Sequence, residues 1–161
     1  KADRKMTDSC LYESPFGVLC IEERDGKITK LNLQQKEPAN RNKKPSALLR
    51  EACRQLDEYF EGKRRQFDLP FYYEGTFFQR RVWEELRKIP YGETRSYEDI
   101  AVQVGNPKAQ RAIGQANNRN PLLIIVPCHR VIHKNGDISG FACGIEAKRY
   151  LLDLETRSQE Q

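Results

Sequence analysis

The sequence predicts an α/β protein in two parts, a sheet-and-helix domain over residues 6–74 and a mostly helical domain over residues 75–161. Short alternating segments separated by turns dominate the first third of the chain, which is typical of antiparallel strands. From Thr76 onward the apolar residues recur every three or four positions, as in amphipathic helices. With 38% hydrophobic and 32% charged residues among 161, the composition is that of a folded chain and not of a disordered one.

The composition also excludes several kinds of protein. No apolar run approaches the roughly 18–20 residues of a membrane helix, and the longest stretch covers residues 122–126. Five widely spaced cysteines without a CxxC pair argue against a disulfide scaffold and indicate a reducing, intracellular setting. A net charge of +5 permits a polyanionic partner without requiring one. The only methionine is Met6, so the five residues before it are left out of the fold prediction.

Three strands are expected at the N-terminus, over residues 10–14, 17–23 and 27–33. Between the last two, Asp25 and Gly26 supply the positive backbone φ angles that a tight hairpin turn requires. These segments therefore predict a small antiparallel sheet.

A helix is expected after the polar loop at residues 34–45, which two prolines interrupt. Ser46 can cap this helix, whose apolar positions follow helical spacing up to Gly62. A further short strand is predicted over residues 67–72, and the domain boundary is placed at Gly75.

Two helix starts with capping-box spacing follow. Thr76 and Gln79 begin a helix expected to reach the Pro90 breaker, and Ser96 and Asp99 begin another that ends at Gly105.

A helix-turn-helix is then predicted, because Asn106 and Pro107 are expected to open the next helix, through residue 117, after a three-residue turn. The second helix carries positive charge at Lys108 and Arg111. Other side chains on this helix are small: Ala109, Ala112, Gly114 and Ala116. Small residues allow either close approach to DNA or tight packing against a neighbouring helix, and a helical corner of this kind also occurs in bundles that bind no DNA.

The candidate chemical centre is Cys128, which the first of only two histidines follows directly. A free thiol has a pKa of about 8.5, so a reactive cysteine needs cationic or hydrogen-bonding help, which His129 or Arg130 can supply. Neighbouring side chains often point apart, which favours a bridging water over a direct Cys–His ion pair. The alternative is a buried thiol beside a structural imidazole.

Two other patterns near this cysteine have less specific interpretations. His129 and His133 have a helical metal-ligand spacing, but an extended chain is expected here and would not bring them together. Glu155 closes the last predicted helix, over residues 145–154, where it is either functional or a solvated helix-end carboxylate.

Residues 75–155 resemble the O6-alkylguanine-DNA alkyltransferase family, centred on the motif PCHRV at residues 127–131. Upstream, SPFGVL at residues 14–19 and YFEGKRRQFDLP at residues 59–70 are similar to the family's N-terminal domain. The resemblance implies a ribonuclease H-like sheet-plus-helix domain and a winged-helix-like domain with a helix-turn-helix beside the reactive loop.

The resemblance also implies a role for each matching site residue. Cys128 would accept the alkyl group irreversibly and only once, while His129 withdraws its proton through water. Glu155 would orient that histidine, Asn120 would brace the site, and Tyr97 would give a proton to the departing guanine.

Duplex DNA containing alkylated bases is the implied partner, with O6-alkylguanine and O4-alkylthymine as substrates. The protein would act as a monomer, with cooperative binding along DNA as a further possibility, and would need no cofactor. Arg111 would fill the stack after the base flips out, and the small helix surface would enter the minor groove. The implied DNA contacts are Ser96, Tyr97, Asn106, Lys108, Ala109, Gln110, Arg111, Ala112, Gly114 and Lys134. The implied pocket residues are Tyr97, Arg130, Val131, Phe141, Ala142, Cys143 and Gly144.

Three departures from the family pattern bear on substrate range. Phe141 lacks a hydroxyl group, Ala142 stands where serine can occur, and Cys143 replaces a usual glycine, which predicts a narrower pocket. The N-terminal half contains no histidine, so no structural zinc site is expected.

Three other functions remain open from the sequence. A non-catalytic binder of alkylated bases would typically carry tryptophan in place of Cys128. A helix-turn-helix transcription regulator would prefer one duplex sequence, and a cysteine hydrolase would turn over repeatedly.

Overall fold

The structure, a computed structural model, describes residues 7–35, 44–138, 140 and 143–159. The chain forms two compact units, Lys1–Tyr73 and Glu74–Gln161. None of the helices in the described ranges is long and apolar enough to cross a membrane.

The N-terminal unit contains one antiparallel sheet of three strands in the order β1-β2-β3. The strands are β1 (Thr7–Ser14), β2 (Gly17–Arg24) and β3 (Lys27–Leu33). Asp25 and Gly26 have φ angles of 53° and 81°, the geometry of the predicted hairpin turn. The three predicted strands are thus confirmed, with β1 beginning earlier than expected.

Helix α1 (Ala47–Phe60) packs on this sheet through a fully buried apolar stripe. The Ser46 hydroxyl accepts a hydrogen bond from the Leu49 amide at 3.2 Å, which confirms the predicted cap. Gly62 follows the helix with a φ of 78°, and the core contains Leu19, Ile21, Ile28, Leu49, Leu56 and Tyr59.

The strand predicted over residues 67–72 is wrong, because only a single parallel bridge joins Phe71 to Ile28. The Ile28 amide donates to the Pro70 carbonyl, and the Tyr72 amide donates to the Ile28 carbonyl, both at 2.9 Å. Pro70 has no amide hydrogen to donate, so the segment cannot supply a regular ladder there.

The C-terminal unit is mostly helical. Its helices are α2 (Phe77–Leu86), α3 (Tyr97–Gln103), α4 (Gln110–Asn118) and α5 (Ile145–Gln159). Two short parallel strands, β4 (Arg95–Ser96) and β5 (Val131–Ile132), pair beside them. The buried Trp83 indole on α2 donates to the Ala116 carbonyl on α4 at 2.9 Å and ties the two helices together.

Both predicted capping boxes are present. The Thr76 and Ser96 hydroxyls each accept a hydrogen bond from the backbone amide three residues later, at 3.0 Å. The side chains of Gln79 and Asp99 bond back to the cap amides at 2.9 Å. Helix α2 ends at Leu86, before the expected breaker.

The connection between α3 and α4 differs from the prediction, since α4 begins at Gln110 and not at Asn106 and Pro107. Gly105, with a φ of 87°, ends α3, and the Asn106 amide donates back to the Ala101 carbonyl at 2.9 Å. Asn106 therefore completes the end of α3, and a turn precedes α4. The helices are joined by residues 104–109, a longer connection than the three-residue turn predicted.

Candidate active site

Cys128 lies in a single 3-10 turn, Cys128–Arg130, directly after a buried apolar segment, and its side chain is 3% exposed. Asn120 holds this turn in place. Its amide nitrogen lies 2.7 Å from the Val126 carbonyl and 3.1 Å from the Cys128 sulfur, and its oxygen accepts from the Leu122 amide at 2.9 Å. Asn120 thus fixes the backbone on both sides of the thiol and donates to the sulfur itself.

The surroundings of Cys128 keep its thiol protonated. Burial raises the pKa of Cys128 to about 12, although the hydrogen bond from Asn120 acts in the opposite direction. At neutral pH such a thiol is a weak nucleophile, so its reaction needs a base that removes the proton.

His129 is fully buried and is held by the carboxylate of Glu155, with 2.8 Å between Nε2 and Oε2. An ionised carboxylate only accepts hydrogen bonds, so Nε2 carries a hydrogen and Nδ1 is the acceptor of the neutral ring. Burial lowers the pKa of His129, even though Glu155 favours the protonated ring. Nδ1 makes no hydrogen bond with any residue in the described ranges.

Arg130 completes this buried network. Its Nε and Nη2 lie 2.8 and 2.9 Å from the two Glu155 oxygens, and its Nη1 donates to the Ile89 carbonyl at 2.7 Å. Burial opposes ionisation of Glu155, but hydrogen bonds and positive charge from His129 and Arg130 hold the pKa of Glu155 below its usual range. The sequence predicts Arg130 as a pocket residue, but its guanidinium binds Glu155 and the Ile89 carbonyl.

The predicted helix end at Leu154 is wrong, because α5 continues to Gln159. Glu155 therefore lies inside the helix and is only 1% exposed, which excludes the solvated helix-end alternative. Residues 155–159 contain neither glycine nor proline, so the sequence gives no stop signal there.

Tyr97, the first residue of α3, is half-buried. Burial raises the pKa of its hydroxyl, as does the nearby Cys128 sulfur, while Asn117 acts in the opposite direction. The ring of His133 lies 5.0 Å from the Tyr97 ring, centroid to centroid. His133 thus contacts Tyr97 while His129 contacts Glu155, and the two histidines do not converge.

Lys148 is a residue that the sequence reasoning missed. It is fully buried on α5, donates to the Val131 carbonyl at 2.6 Å, and lies 6.0 Å from the centre of the Tyr97 ring. Burial lowers its pKa to about 8, although Cys128 favours its charged form. The spacing of Lys148, Leu151 and Glu155 places all three on one helical stripe, which is the signal that could have identified it.

A cavity of about 350 Å³ opens between α3, α4 and the loop after β5. Its lining is Tyr97, Gln110, Arg111, Gly114, Asn118, His133 and Gly140. Gln110, Arg111 and Gly114, all predicted DNA contacts, thus share one concave surface with Tyr97. The Cys128 sulfur is near enough to Tyr97 to raise its pKa.

The other predicted contact residues are distributed around this surface. Asn106 and Lys108 are exposed in the connection before α4, Ala109 and Ala112 are half-buried, and Ser96 is engaged in capping α3. Lys134 pairs with Glu98 at 3.3 Å.

Of the predicted pocket residues, Val131 is buried and Cys143 half-buried, and Gly144 has a φ of 95°. Phe141 and Ala142 lie outside the described residues. Within the described ranges, no group of three or more His, Cys, Asp or Glu side chains is arranged to hold a metal ion.

Two family descriptions match the chain: "6-O-methylguanine DNA methyltransferase, ribonuclease-like domain" at residues 10–73 and "6-O-methylguanine DNA methyltransferase, DNA binding domain" at residues 77–157. A constitutive methylated-DNA–protein-cysteine methyltransferase of Bacillus subtilis is 48% identical over 157 residues, covering 92% of this chain and 95% of that protein. A Methanosarcina acetivorans protein of the same name is 46% identical, covering 90% and 96%.

Solved structures agree with these sequence matches and confirm the expected two-part α/β fold. The O6-methylguanine methyltransferase of Mycobacterium tuberculosis has a TM-score of 0.86 and 43% identity, covering 95% of this chain and 94% of that chain. A Mycobacterium tuberculosis OGT in complex with DNA has a TM-score of 0.87 and 43% identity, covering 94% of each chain. The chain therefore belongs to the methylated-DNA–protein-cysteine methyltransferases, DNA-binding repair proteins that transfer an alkyl group to a cysteine of their own.

Proposed function

We propose that Cys128 is the acceptor, and that the protein removes the alkyl group from O6-alkylguanine in duplex DNA once per molecule. The observation that carries this proposal is the arrangement around the thiol: Asn120 donates to the sulfur, and the adjacent His129 is oriented by the buried Glu155. This is the order of groups that an activated nucleophile requires.

The proton of the thiol passes to His129 through one water molecule. The neutral ring offers Nδ1 as the acceptor, because Nε2 is engaged by Glu155. The carboxylate then stabilises the imidazolium, and Arg130 keeps the carboxylate ionised and in position. Because the pKa of Cys128 is raised, its thiol stays protonated until the alkyl transfer takes place.

The sulfur attacks the alkyl carbon as the bond between that carbon and guanine O6 breaks. The electron pair leaves with guanine, and the Tyr97 hydroxyl, kept protonated by its raised pKa, donates a proton to the departing base. A thioether on Cys128 is chemically stable, so each molecule reacts once.

The base must leave the duplex, since the Cys128 side chain is 3% exposed and cannot reach a stacked guanine. Arg111 and Gly114 share the α4 face that lines the cavity. Gly114 lets the helix approach the minor groove, and Arg111 fills the vacated stack. The same geometry would accept O4-alkylthymine.

We propose further that the protein acts as a monomer and binds cooperatively along DNA. All five cysteines are thiols outside any disulfide, which supports a reducing, intracellular location where DNA is present.

The proposal is tested by intact and peptide mass after incubation with a duplex that carries one O6-methylguanine. We expect a gain of one methylene mass on Cys128 that saturates at one equivalent. Lesion binding without a mass change would indicate a recognition protein, and repeated turnover a hydrolase. Strong preference for one unmodified duplex sequence would indicate a transcription regulator.

We expect the transfer rate to be flat from pH 8 to about 6.5 and to fall in more acidic buffer, because a base with a lowered pKa gains its proton only there.

The free energy of unfolding should also fall as the pH becomes more acidic. The pKa of His129 is lower in the folded protein than in the unfolded chain, so its contribution is present above about pH 6.5 and is lost as the pH falls. Urea unfolding at several pH values measures this, and His129→Gln should have a shallower acid slope. An equal slope in both proteins would contradict the assignment.

Arg111→Ala is expected to slow methyl transfer from duplex DNA by about tenfold or more, since an intercalating cation supplies more than 1 kcal/mol to extrusion. The reaction with O6-methylguanine as a free base should be unchanged, because no stack needs to be filled. Arg80→Ala removes another exposed positive charge, from α2, and serves as the control. Equal losses on duplex and free base would show that Arg111 does not act through the stack.

Cys143→Gly is expected to increase the rate with O6-benzylguanine relative to O6-methylguanine. Cys143 lies close enough to Cys128 to raise its pKa, and a glycine there would widen the alkyl pocket. Competition between methyl and benzyl substrates measures the ratio. An unchanged ratio between wild type and variant would exclude Cys143 as a size filter.

A further inference from the structure

A pair of thiols lies in the N-terminal unit, whereas the residues of the proposed reaction belong to the C-terminal unit. Cys10 on β1 and Cys53 on α1 have their sulfur atoms 3.9 Å apart and share a hydrogen bond. Cys10 is 5% exposed, whereas Cys53 is half-buried. A disulfide bond is about 2.05 Å long, so the two sulfurs need to approach by roughly 2 Å for a covalent bond.

We infer that Cys10 and Cys53 form an oxidation site, in which a hydroperoxide converts the two thiols to a disulfide between β1 and α1. This inference goes beyond the repair reaction and does not depend on it.

The charge distribution within the pair assigns a role to each thiol. The hydrogen bond between the two thiols lowers the pKa of Cys53, although burial and Asp57 oppose this. The same hydrogen bond, together with burial, raises the pKa of Cys10. Cys53, which is also the more accessible, is therefore the first to become a thiolate, and Cys10 retains the shared proton.

The reaction balances in two steps. The Cys53 thiolate attacks one oxygen of hydrogen peroxide, an S–O bond forms and the O–O bond breaks. The released hydroxide takes up the proton that Cys53 lost and becomes water. The Cys10 sulfur then attacks the Cys53 sulfenic acid. The S–S bond forms as the S–O bond breaks, and the hydroxyl group leaves with the Cys10 proton as a second water. Overall, both thiols are oxidised and one hydroperoxide is reduced.

Cys128 has the opposite environment. It is 3% exposed, and burial raises its pKa to about 12, so very little of its thiol is ionised at neutral pH. Each pKa unit changes the thiolate fraction about tenfold, and we expect Cys53 to react with peroxide at least about tenfold faster than Cys128. The geometry therefore places oxidation at a pair outside the proposed repair centre.

The experiment treats the reduced full-length protein with hydrogen peroxide, blocks the remaining thiols with iodoacetamide, and reads intact and peptide masses over time. We expect a loss of two hydrogen masses, three blocked thiols instead of five, and one cross-linked peptide containing Cys10 and Cys53. The melting temperature should rise by about 5 °C or more, because the disulfide restricts the unfolded chain, and dithiothreitol should reverse the rise.

Variants separate this site from general thiol oxidation. Cys53→Ser should form no cross-link, and Cys10→Ala should stop at a Cys53 sulfenic acid that dimedone captures. Cys20→Ser, which alters another thiol of the same unit, should still form the cross-link between Cys10 and Cys53. Oxidation of Cys128 before Cys53, or a cross-link that persists in Cys53→Ser, would overturn the inference. So would five blocked thiols after peroxide treatment.

Discussion

Cys128→Ser is expected to lower methyl transfer by more than about 10⁴-fold, the largest effect of any single change in this protein. A serine hydroxyl is far less acidic and less nucleophilic than a thiol, and a single His–Glu pair cannot compensate for this difference at an alkyl carbon. The substitution replaces sulfur by oxygen and keeps the small side chain that Asn120 contacts. We therefore expect the variant to fold and to bind methylated duplex DNA. Intact mass after incubation with the lesion measures the transfer.

Two controls make this result specific. Cys20→Ala removes a buried thiol from the N-terminal unit and should retain stoichiometric transfer. Duplex binding by Cys128→Ser should remain within a few-fold of wild type, since the Cys128 side chain is 3% exposed and offers almost no surface to DNA. Methylation of Cys128→Ser at any other cysteine would contradict the assignment of the acceptor.

Glu155→Gln is expected to have the second-largest effect, on both stability and rate. The change leaves the Arg130 guanidinium, 7% exposed, without its carboxylate partner. An uncompensated buried charge of this kind costs about 3–5 kcal/mol of the free energy of unfolding. His129 also loses the acceptor that fixes its ring and raises its pKa, so the transfer rate should fall by about 10³-fold or more.

The two effects can be separated by experiment. Glu146→Gln removes an exposed carboxylate from the first turn of the same helix and should change neither stability nor rate by more than a small amount. Single-turnover transfer is measured at a temperature where circular dichroism shows Glu155→Gln to be folded. A folded Glu155→Gln protein with a wild-type rate and pH profile would show that Glu155 supports the structure alone. Denaturant unfolding of both variants measures the change in the free energy of unfolding.

Local patterns predicted much of the fold because short-range chemistry decided those elements. Asp25 and Gly26 set a hairpin turn, and Ser46, Thr76 and Ser96 cap helices with their own hydroxyls, whatever the rest of the chain does. Two predictions failed because the backbone hydrogen bonds near the segment differ from those that the pattern suggested. The Asn106 amide closes the end of α3, and the Ala109 amide donates to the Asn106 carbonyl, so a turn precedes α4. Pro70 lacks the amide hydrogen that a regular strand would need.

The sequence by itself determined the family and predicted the reactive group, because PCHRV and the matching segments around it are contiguous in the chain. The tertiary structure decided how that group is controlled. Glu155 lies 26 residues beyond His129, and only the packing of α5 turns an apparent helix-end carboxylate into the buried partner of His129 and Arg130. The same packing places Lys148 beside the Val131 carbonyl and near Tyr97, and the folding of β1 against α1 brings Cys10 to Cys53. Burial and distance set the pKa values and pairings of these groups, and both arise only when segments far apart in the chain meet.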